Sequence, residues 1–440
     1  MLEPIVALAT PPLKSALAVI RISGDGCFDI VSKVFSRRIE FEGKNKIFVG
    51  DIYEDQELVD EVVLLAYRGP YSFTGEDSIE IICHGSMVIA NQIVSICIKN
   101  GCRYALNGEY TNRAFMNKKL DLIEAEAVND VINATSIEAK KLSLMSLKGK
   151  TSNLVEPIKS KIADILSLIE VNIDYPEYED IEVVTKDKIL NELSKISTEL
   201  KDLIKNGYKG NIIKDGVKIA IVGKPNAGKS SLLNALLNED KAIVTAIPGT
   251  TRDIVEGSII INGVTLFFKD TAGIRESDDI IENQGIIKSK KAIDECDLVL
   301  YIVDSTDENE DKSILESIKN KEVIKVYNKN DLSKVEKDDG ISISALNKDI
   351  QTLKNEIYKK LKLTNDNYVN PSINNMRDLG LLEKIEKELS SAVFLTEQEC
   401  ALDLISINLT NAYALTLELL GLSNDCDISQ EIFSRFCVGK

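Results

Sequence analysis

The sequence predicts a multidomain protein that combines an α+β domain, an all-α domain and an inserted α/β domain. Its 440 residues exceed one ordinary domain, since a domain takes about 150 residues as a first expectation. Two stretches in which apolar residues recur at helical spacing flank a segment where strand-like runs and helices alternate. This order indicates one helical domain with another domain inserted into it.

Residues 1–117 are predicted to form the N-terminal α+β domain. The short runs LAVIRIS, EVVLLAYR and SIEIICH are rich in β-branched residues, and Gly and Pro separate them. The run MVIANQIVSICIKNG has helical spacing and is predicted to end at Gly101. Short strands with one helix are typical of a small α+β fold.

Residues 118–215 and 364–440 are predicted to form the helical domain. Long helical periodicity runs through LIEAEAVNDVINATSIEAKKLSLMSL and returns in MRDLGLLEKIEKELSSAV. The segments KGNIIKDG and LTNDNYVNPS are predicted to be short linkers at the two seams.

Residues 216–363 are predicted to form the inserted domain. Its runs VKIAIVG, TLFFKDTAG, DLVLYIVDS, EVIKVYNKND and DGISISAL alternate with helices. This alternation predicts a doubly wound, mostly parallel sheet whose site lies at the carboxyl ends of the strands.

Composition excludes several classes of function. A formal charge of −17 argues against broad non-specific attraction to nucleic acid. No apolar run is long enough to span a membrane, and the N-terminus lacks a signal-peptide pattern. The eight cysteines contain no CxxC pair and His84 is the only histidine, so zinc and disulfide patterns are absent. We therefore expect a cytoplasmic protein without a membrane association.

The motif GKPNAGKS at residues 223–230 directly follows a predicted strand and opens a helix. Its glycines let main-chain N–H groups surround phosphate, Lys229 reaches the β- and γ-phosphates, and the Ser230 hydroxyl can bind Mg²⁺. The pattern predicts a nucleotide-binding loop, called the P-loop below.

The motif NKND at residues 328–331 ends another predicted strand. Asp331 can accept hydrogen bonds from both the ring N–H and the exocyclic amine of guanine. Adenine would leave the carboxylate partly without hydrogen-bond donors, and an unsatisfied buried polar group weakens binding by about 1–3 kcal/mol. The motif SAL at residues 344–346 would add a main-chain amide to the base pocket, although the glycine that often follows it is absent.

Two further motifs would contact the γ-phosphate. TAIPGTTRD at residues 245–253 places Thr251 where it could complete Mg²⁺ coordination while GTP is bound. DTAG at residues 270–273 is followed by Ile274, where Ras-like proteins place the glutamine that orients water. Together with the P-loop, NKND and SAL, these motifs predict a Ras-like P-loop GTPase domain. The predicted GTP contacts are Asn226, Ala227, Gly228, Lys229, Ser230, Ser231, Thr245, Ala246, Ile247, Pro248, Gly249, Thr250, Thr251, Asp270, Thr271, Ala272, Gly273, Asn328, Lys329, Asp331, Ser344 and Ala345.

These motifs, together with ATPP, YSFTGEDSIEIICHG, LNGEYTNRAFMNKKLDLIEAEAVNDVI and the terminal IFSRFCVGK, resemble the MnmE (TrmE) family of tRNA-modification GTPases over essentially the whole chain. The resemblance implies a K⁺ ion held by Asn226, Thr245, Ile247 and Thr250 in place of an arginine finger. It also implies that Glu282 holds the attacking water. From the residues alone, Glu276, Asp278 and Asp279 are equal candidates.

The resemblance further implies a 5-formyltetrahydrofolate-type donor at Arg21, Glu80, Lys119 and Lys440, and a role in tRNA modification for Cys437. It implies a homodimer, and a heterotetramer with the MnmG (GidA) partner that brings FAD and NADH. Their complex would add an aminomethyl-type group (carboxymethylaminomethyl or aminomethyl) to carbon 5 of the wobble uridine of certain tRNAs.

Two other functions stay open at this point. A regulatory switch for ribosome assembly predicts a GXXG loop or a strongly basic RNA module, and a stand-alone folate-dependent methyl carrier leaves the GTPase motifs unexplained. Three segments also depart from the family pattern: LKS after ATPP, HGS at residues 84–86, and the terminal CVGK.

Overall fold

The computed structural model describes most of the chain, and its contacts divide that chain into two compact units. The described residues are 3–175, 185–239, 257–270, 292–307, 311–333, 337–361, 370–423, 436 and 438–439. The first unit comprises Met1–Ile132, Ser146–Ile196 and Lys384–Lys440, and the second comprises Asn133–Met145 and Ser197–Glu383. The predicted three-domain division, with boundaries at 117, 215 and 363, stays a prediction.

A six-stranded sheet forms the N-terminal part of the first unit, with the strand order β3-β4-β5-β2-β1-β6. Its neighbouring strands are antiparallel except for the parallel pair of β1 and β6. The strands are β1 (Ile5–Leu8), β2 (Leu17–Ser23), β3 (Asn45–Glu54), β4 (Glu57–Tyr67), β5 (Ser78–His84) and β6 (Arg103–Tyr104).

Two helices, α1 (Cys27–Ser32) and α2 (Met87–Lys99), cover one face of this sheet. Alternate residues of β2 are buried, because successive side chains of a strand point to opposite faces. Helix α2 buries Ala90, Ile93 and Cys97 on one stripe. It stops before Gly101, whose φ of 117° is a left-handed conformation that favours glycine, as the sequence predicts.

Further helices follow along the chain: α3 (Glu109–Met116), α4 (Leu122–Asn133), α5 (Ile137–Leu147), α6 (Ser152–Asp174), α7 (Lys186–Asp215), α11 (Met376–Glu397) and α12 (Leu402–Leu419). Helices α6 and α12, which both belong to the first unit, pack against each other. Within the described residues, no helix combines the length and apolarity that crossing a membrane requires.

The segment KGNIIKDG is helical rather than a linker, because α7 continues to Asp215 and only Gly216, with its φ of 74°, lies beyond the helix. Ile213 is buried in the core of the second unit and Ile212 packs against it. This burial stabilises helix in a segment whose glycines and lysines suggested a break.

The second unit contains a six-stranded sheet with the order β12-β11-β10-β7-β9-β8, parallel except for the β8–β9 pair. Its core lies on both faces of the sheet, which explains why β10 is almost wholly apolar. The predicted combination of a mostly parallel α/β fold, an α+β sheet and a set of helices is confirmed. The elements are β7 (Val217–Gly223), α8 (Lys229–Glu239), β8 (Gly257–Ile261), β9 (Val264–Asp270), β10 (Leu298–Asp304), α9 (Lys312–Ile318), β11 (Val323–Asn328), β12 (Ile341–Ser342) and α10 (Gln351–Lys360).

Candidate functional site

The P-loop lies where the strand order of the second sheet changes direction. Strand β7 pairs with β9 on one side and with β10 on the other. The chain leaves β7 at Gly223 and enters α8 at Lys229, so the loop occupies the crevice at the carboxyl ends of the strands. Such a crevice is where open parallel sheets bind ligands.

Lys229 is held over this loop by the loop's own backbone. Its Nζ donates to the carbonyl oxygens of Gly223 at 2.9 Å and Lys224 at 2.8 Å, and the residue is buried. Asn226 has a φ of 63° and Gly228 a φ of 91°, which bends the loop around the ammonium group. The N-terminus of α8 adds main-chain N–H groups, so this region favours an anion. Ser230 and Ser231 follow on the exposed side of the helix.

Asn328 joins the P-loop to the predicted base pocket. Its Nδ2 donates to the carbonyl oxygen of Ala227 at 3.0 Å, and its Oδ1 accepts from the main-chain N–H of Ala345 at 3.0 Å. A Cβ on Gly228 would lie 2.1 Å from this Nδ2, which explains the glycine. The amide side chain therefore makes NKND, SAL and the P-loop one structural unit.

We expect Asn328→Ala to destabilise the second unit and to weaken nucleotide binding. The substitution leaves the buried Ala227 carbonyl and Ala345 N–H without their hydrogen-bond partner. Each unsatisfied group lowers the free energy of unfolding by about 1–3 kcal/mol. We expect GTP affinity, measured with a fluorescent GTP analogue, to fall about 10- to 100-fold. Asn355→Ala is the control, because Asn355 is exposed on α10. Equal affinities for both variants would contradict a bridging role.

The base-side residues surround the end of β11. The Ser344 hydroxyl donates to Asp331 Oδ1 at 2.6 Å, which orients the carboxylate that is predicted to bind guanine. Lys329, with a φ of 67°, donates from Nζ to Asp304 Oδ2 at 2.6 Å. Burial would raise the pKa of Asp304, but hydrogen bonds from Lys329 and Thr306 outweigh it and lower that pKa below its ordinary value.

Asp304 and Ser305 support this site without having been predicted from the sequence. Asp304 positions Lys329, and the Ser305 hydroxyl donates to the main-chain oxygen of Asn328 at 2.5 Å. The sequence signal for them was their position directly after the apolar run of β10. The carboxyl ends of parallel strands meet at one edge of a sheet, so polar residues there lie near the P-loop.

Several predicted site residues lie outside the described residues. They are Thr245, Ala246, Ile247, Pro248, Gly249, Thr250, Thr251, Thr271, Ala272, Gly273 and Glu282, together with the alternatives Glu276, Asp278 and Asp279. For Asp270, the backbone is described as the last residue of β9. The roles of these residues stay predictions.

In the first unit, Arg21 and Glu80 form a cross-strand pair. They are in register between β2 and β5, and Glu80 Oε1 accepts from Arg21 Nε at 2.9 Å and from Nη2 at 2.7 Å. The guanidinium carbon lies 5.6 Å from the ring centre of Tyr110 and 5.9 Å from that of Phe73. Both charged side chains are only about a quarter exposed, which strengthens their attraction.

Lys119 has a different hydrogen-bond partner from the Arg21–Glu80 pair. The Nζ of Lys119 donates to the carbonyl oxygen of Pro70 at 2.8 Å. Among the described hydrogen bonds, none joins Lys119 to the Arg21–Glu80 pair. Cys437 and Lys440 lie outside the described residues.

A buried ion network that the sequence did not predict supports the segment before β5. Arg113 Nη1 lies 3.1 Å from Glu76 Oε2, and Arg113 Nη2 lies 2.9 Å from Glu109 Oε1. The Ser23 hydroxyl also donates to Glu76 at 2.8 Å. Burial would raise the pKa of Glu109, but bonds from Arg103 and Arg113 lower it. Glu109 and Arg113 are one helical turn apart in α3, whereas Glu76 lies on a distant segment, so sequence spacing does not reveal the contact that joins it to them.

Comparisons with known proteins cover the whole chain. A family model described as the MnmE helical domain matches residues 122–437, and one described as the GTP-binding protein TrmE N-terminus matches residues 4–119. The chain is 40% identical over 456 residues to a tRNA modification GTPase MnmE from Mycoplasma mycoides, covering 100% of this chain and 99% of the relative. It is 40% identical to a protein of the same description from Ureaplasma parvum, covering 100% of both chains.

Among solved structures, the chain is similar to Era in complex with MgGDPNP and 16S ribosomal RNA nucleotides, with a TM-score of 0.27 and 30% identity, covering 39% of this chain and 66% of that chain. It is also similar to the FeoB G-domain from Methanococcus jannaschii, with a TM-score of 0.26 and 27% identity, covering 33% of this chain and 98% of that chain.

Proposed function

The chain belongs to the MnmE family of tRNA modification GTPases, and from this premise we propose that it is the GTP-hydrolysing component of a wobble-uridine modification complex. The main structural support for GTP binding is the pair of hydrogen bonds made by the Asn328 side chain, since they join the P-loop to the NKND and SAL motifs. A phosphate cradle and a guanine-recognising carboxylate in one unit suit GTP.

We propose that two cations assist GTP hydrolysis. Ser230, an exposed hydroxyl at the start of α8, suits Mg²⁺ together with Thr251 and phosphate oxygens. Asn226 is exposed on the P-loop, and its side-chain oxygen suits K⁺ with Thr245, Ile247 and Thr250. Bound cations would offset negative charge that develops on the phosphates. Glu282 would orient the attacking water, because Ile274 has no polar group.

The first unit is proposed to bind a 5-formyltetrahydrofolate-type donor. Glu80 can accept from pterin N–H groups, while Arg21, Lys119 and Lys440 can hold the anionic glutamate. The Arg21–Glu80 pair supports this proposal, because it presents opposite charges side by side on one sheet. Cys437 is proposed to act in the tRNA modification itself.

The proposed assembly is a cytoplasmic homodimer whose second units pair through K⁺ and GTP. It would join the MnmG (GidA) partner, which supplies FAD and NADH, in a heterotetramer that acts on tRNA. GTP hydrolysis would then drive opening and closing of the paired units.

Mass spectrometry of tRNA nucleosides tests the modification role. In cells that lack this protein, we expect the aminomethyl-type wobble uridines to disappear, and a plasmid with the intact gene to restore them. A gene with Lys229→Met should fail to restore them if GTP hydrolysis is required. An unchanged nucleoside profile would discard the modification role, leave the GTPase intact and favour a switch in ribosome assembly.

The K⁺ proposal predicts a dependence on the monovalent cation. At equal ionic strength, we expect GTP turnover to be at least about tenfold faster in KCl than in NaCl, because Na⁺ is too small for ligands spaced for K⁺. Asn226→Ala should remove most of this difference. Equal turnover in both salts would contradict the role of Asn226.

A further inference from the structure

The last described residues of the chain lie against the N-terminal sheet of the first unit. Val438 forms an antiparallel bridge with Asn107 and packs on a buried cluster that includes Tyr110. Phe436 is 6% exposed and packs on residues of α3 and α4. Phe436, Val438 and Gly439 are called the tail below, and the first two hold it on the first unit by apolar and main-chain contacts.

Gly439 is required by the geometry of this docking. Its φ of 90° is in the left-handed region that side chains disfavour. A Cβ at this position would lie 2.7 Å from the carbonyl oxygen of Leu8 and 3.0 Å from the Cα of Ala9. Both atoms belong to the backbone, one in the last residue of β1 and one in the residue after it, so they cannot move aside as a flexible side chain would.

The docked tail contacts the Arg21–Glu80 pair directly. Arg21 Nη1 donates to the carbonyl oxygen of Gly439 at 3.0 Å, while Nε and Nη2 donate to Glu80. The hydroxyl of Tyr110 donates to the main-chain oxygen of Arg21 at 2.7 Å, which holds the strand beneath. The guanidinium has more N–H donors than these three contacts use, so it can still bind an anion.

We propose that Gly439 is a positioning residue for ligand binding at Arg21. Its carbonyl fixes one side of the guanidinium and Glu80 fixes another, so the remaining donors point to a defined place. Conversely, a ligand that holds Arg21 in this orientation stabilises the docked tail. The inference rests on the proposed folate function for the identity of the ligand, but not for the docking itself.

Carboxypeptidase digestion of the full-length protein, followed by intact-mass spectrometry, tests the docking. We expect Gly439→Ala to lose its C-terminal residues at least about tenfold faster than the wild type. Gly43→Ala is the matched control, because Gly43 has a φ of 93° with no atom within 4 Å of an added Cβ. Arg21→Lys should also accelerate digestion, because lysine keeps the charge but lacks the planar guanidinium that donates to Glu80 and Gly439 at the same time. Wild-type rates in Gly439→Ala and in Arg21→Lys would overturn the proposal.

Calorimetric titration with 5-formyltetrahydrofolate tests the positioning. We expect Gly439→Ala to bind about tenfold more weakly than Gly43→Ala. The ligand should also slow digestion of the wild type but not of Gly439→Ala. Equal affinities would overturn the positioning role. If the wild type binds no folate, the folate function fails, whereas the digestion rates without ligand still decide whether Gly439 docks the tail. Circular dichroism melting verifies that each variant is folded.

Discussion

Lys229→Met is expected to decrease kcat/KM for GTP hydrolysis about 10²- to 10³-fold, the usual effect of removing one preorganised electrostatic contact in an active site. The ammonium group of Lys229 is held by two carbonyl oxygens of the P-loop, so it is positioned before the phosphates arrive. Methionine keeps the buried aliphatic stem and removes only the charge and the donors. Phosphate release measured over a range of GTP concentrations gives the change.

Lys359→Met is the control for this substitution. The Lys359 side chain is 80% exposed, and it makes only a distant ion pair with Glu356 at 3.8 Å. Its replacement removes the same charge from the same unit without touching the P-loop. If Lys229→Met keeps kcat/KM within about threefold of the control, its ammonium does not stabilise the transition state.

Asp331→Asn is expected to exchange guanine specificity for xanthine specificity. The carboxylate of Asp331 suits the two N–H groups of guanine, whereas an amide presents one acceptor and one donor. Xanthine carries a carbonyl oxygen where guanine carries its amine, so the amide donor gains a partner. Because Ser344 donates to Oδ1 at 2.6 Å, the amide oxygen should take that bond and the NH₂ group should face the base.

Turnover of GTP and XTP by the same preparation measures this exchange. We expect kcat/KM for GTP to fall about 10³-fold and that for XTP to rise by a similar factor, since sites built to hydrogen-bond a substrate reject analogues strongly. Asp338→Asn serves as the control, because Asp338 is an exposed acid nearby. Unchanged base preference in Asp331→Asn would place guanine recognition elsewhere.

Strands could be recognised from the sequence, including the one that leads into the P-loop, because the apolar runs that form them are continuous in the chain. The predicted run VKIAIVG corresponds to β7, and LAVIRIS and SIEIICH correspond to β2 and β5. These predictions succeed since alternation and apolar runs directly reflect which side chains a sheet buries. The segment KGNIIKDG was predicted wrongly, because burial of Ile213 outweighs local propensity.

The sequence by itself determined the family, the mostly parallel sheet, and the motifs in which Lys229 and Asp331 stand. Only the tertiary structure decided that Asn328 bridges Ala227 and Ala345, that Asp304 pairs with Lys329, and that Gly439 contacts Arg21. The partners in this last contact are 418 positions apart in the chain. Short-range periodicity carries information about local burial, whereas hydrogen bonds between distant segments exist only after the elements have packed.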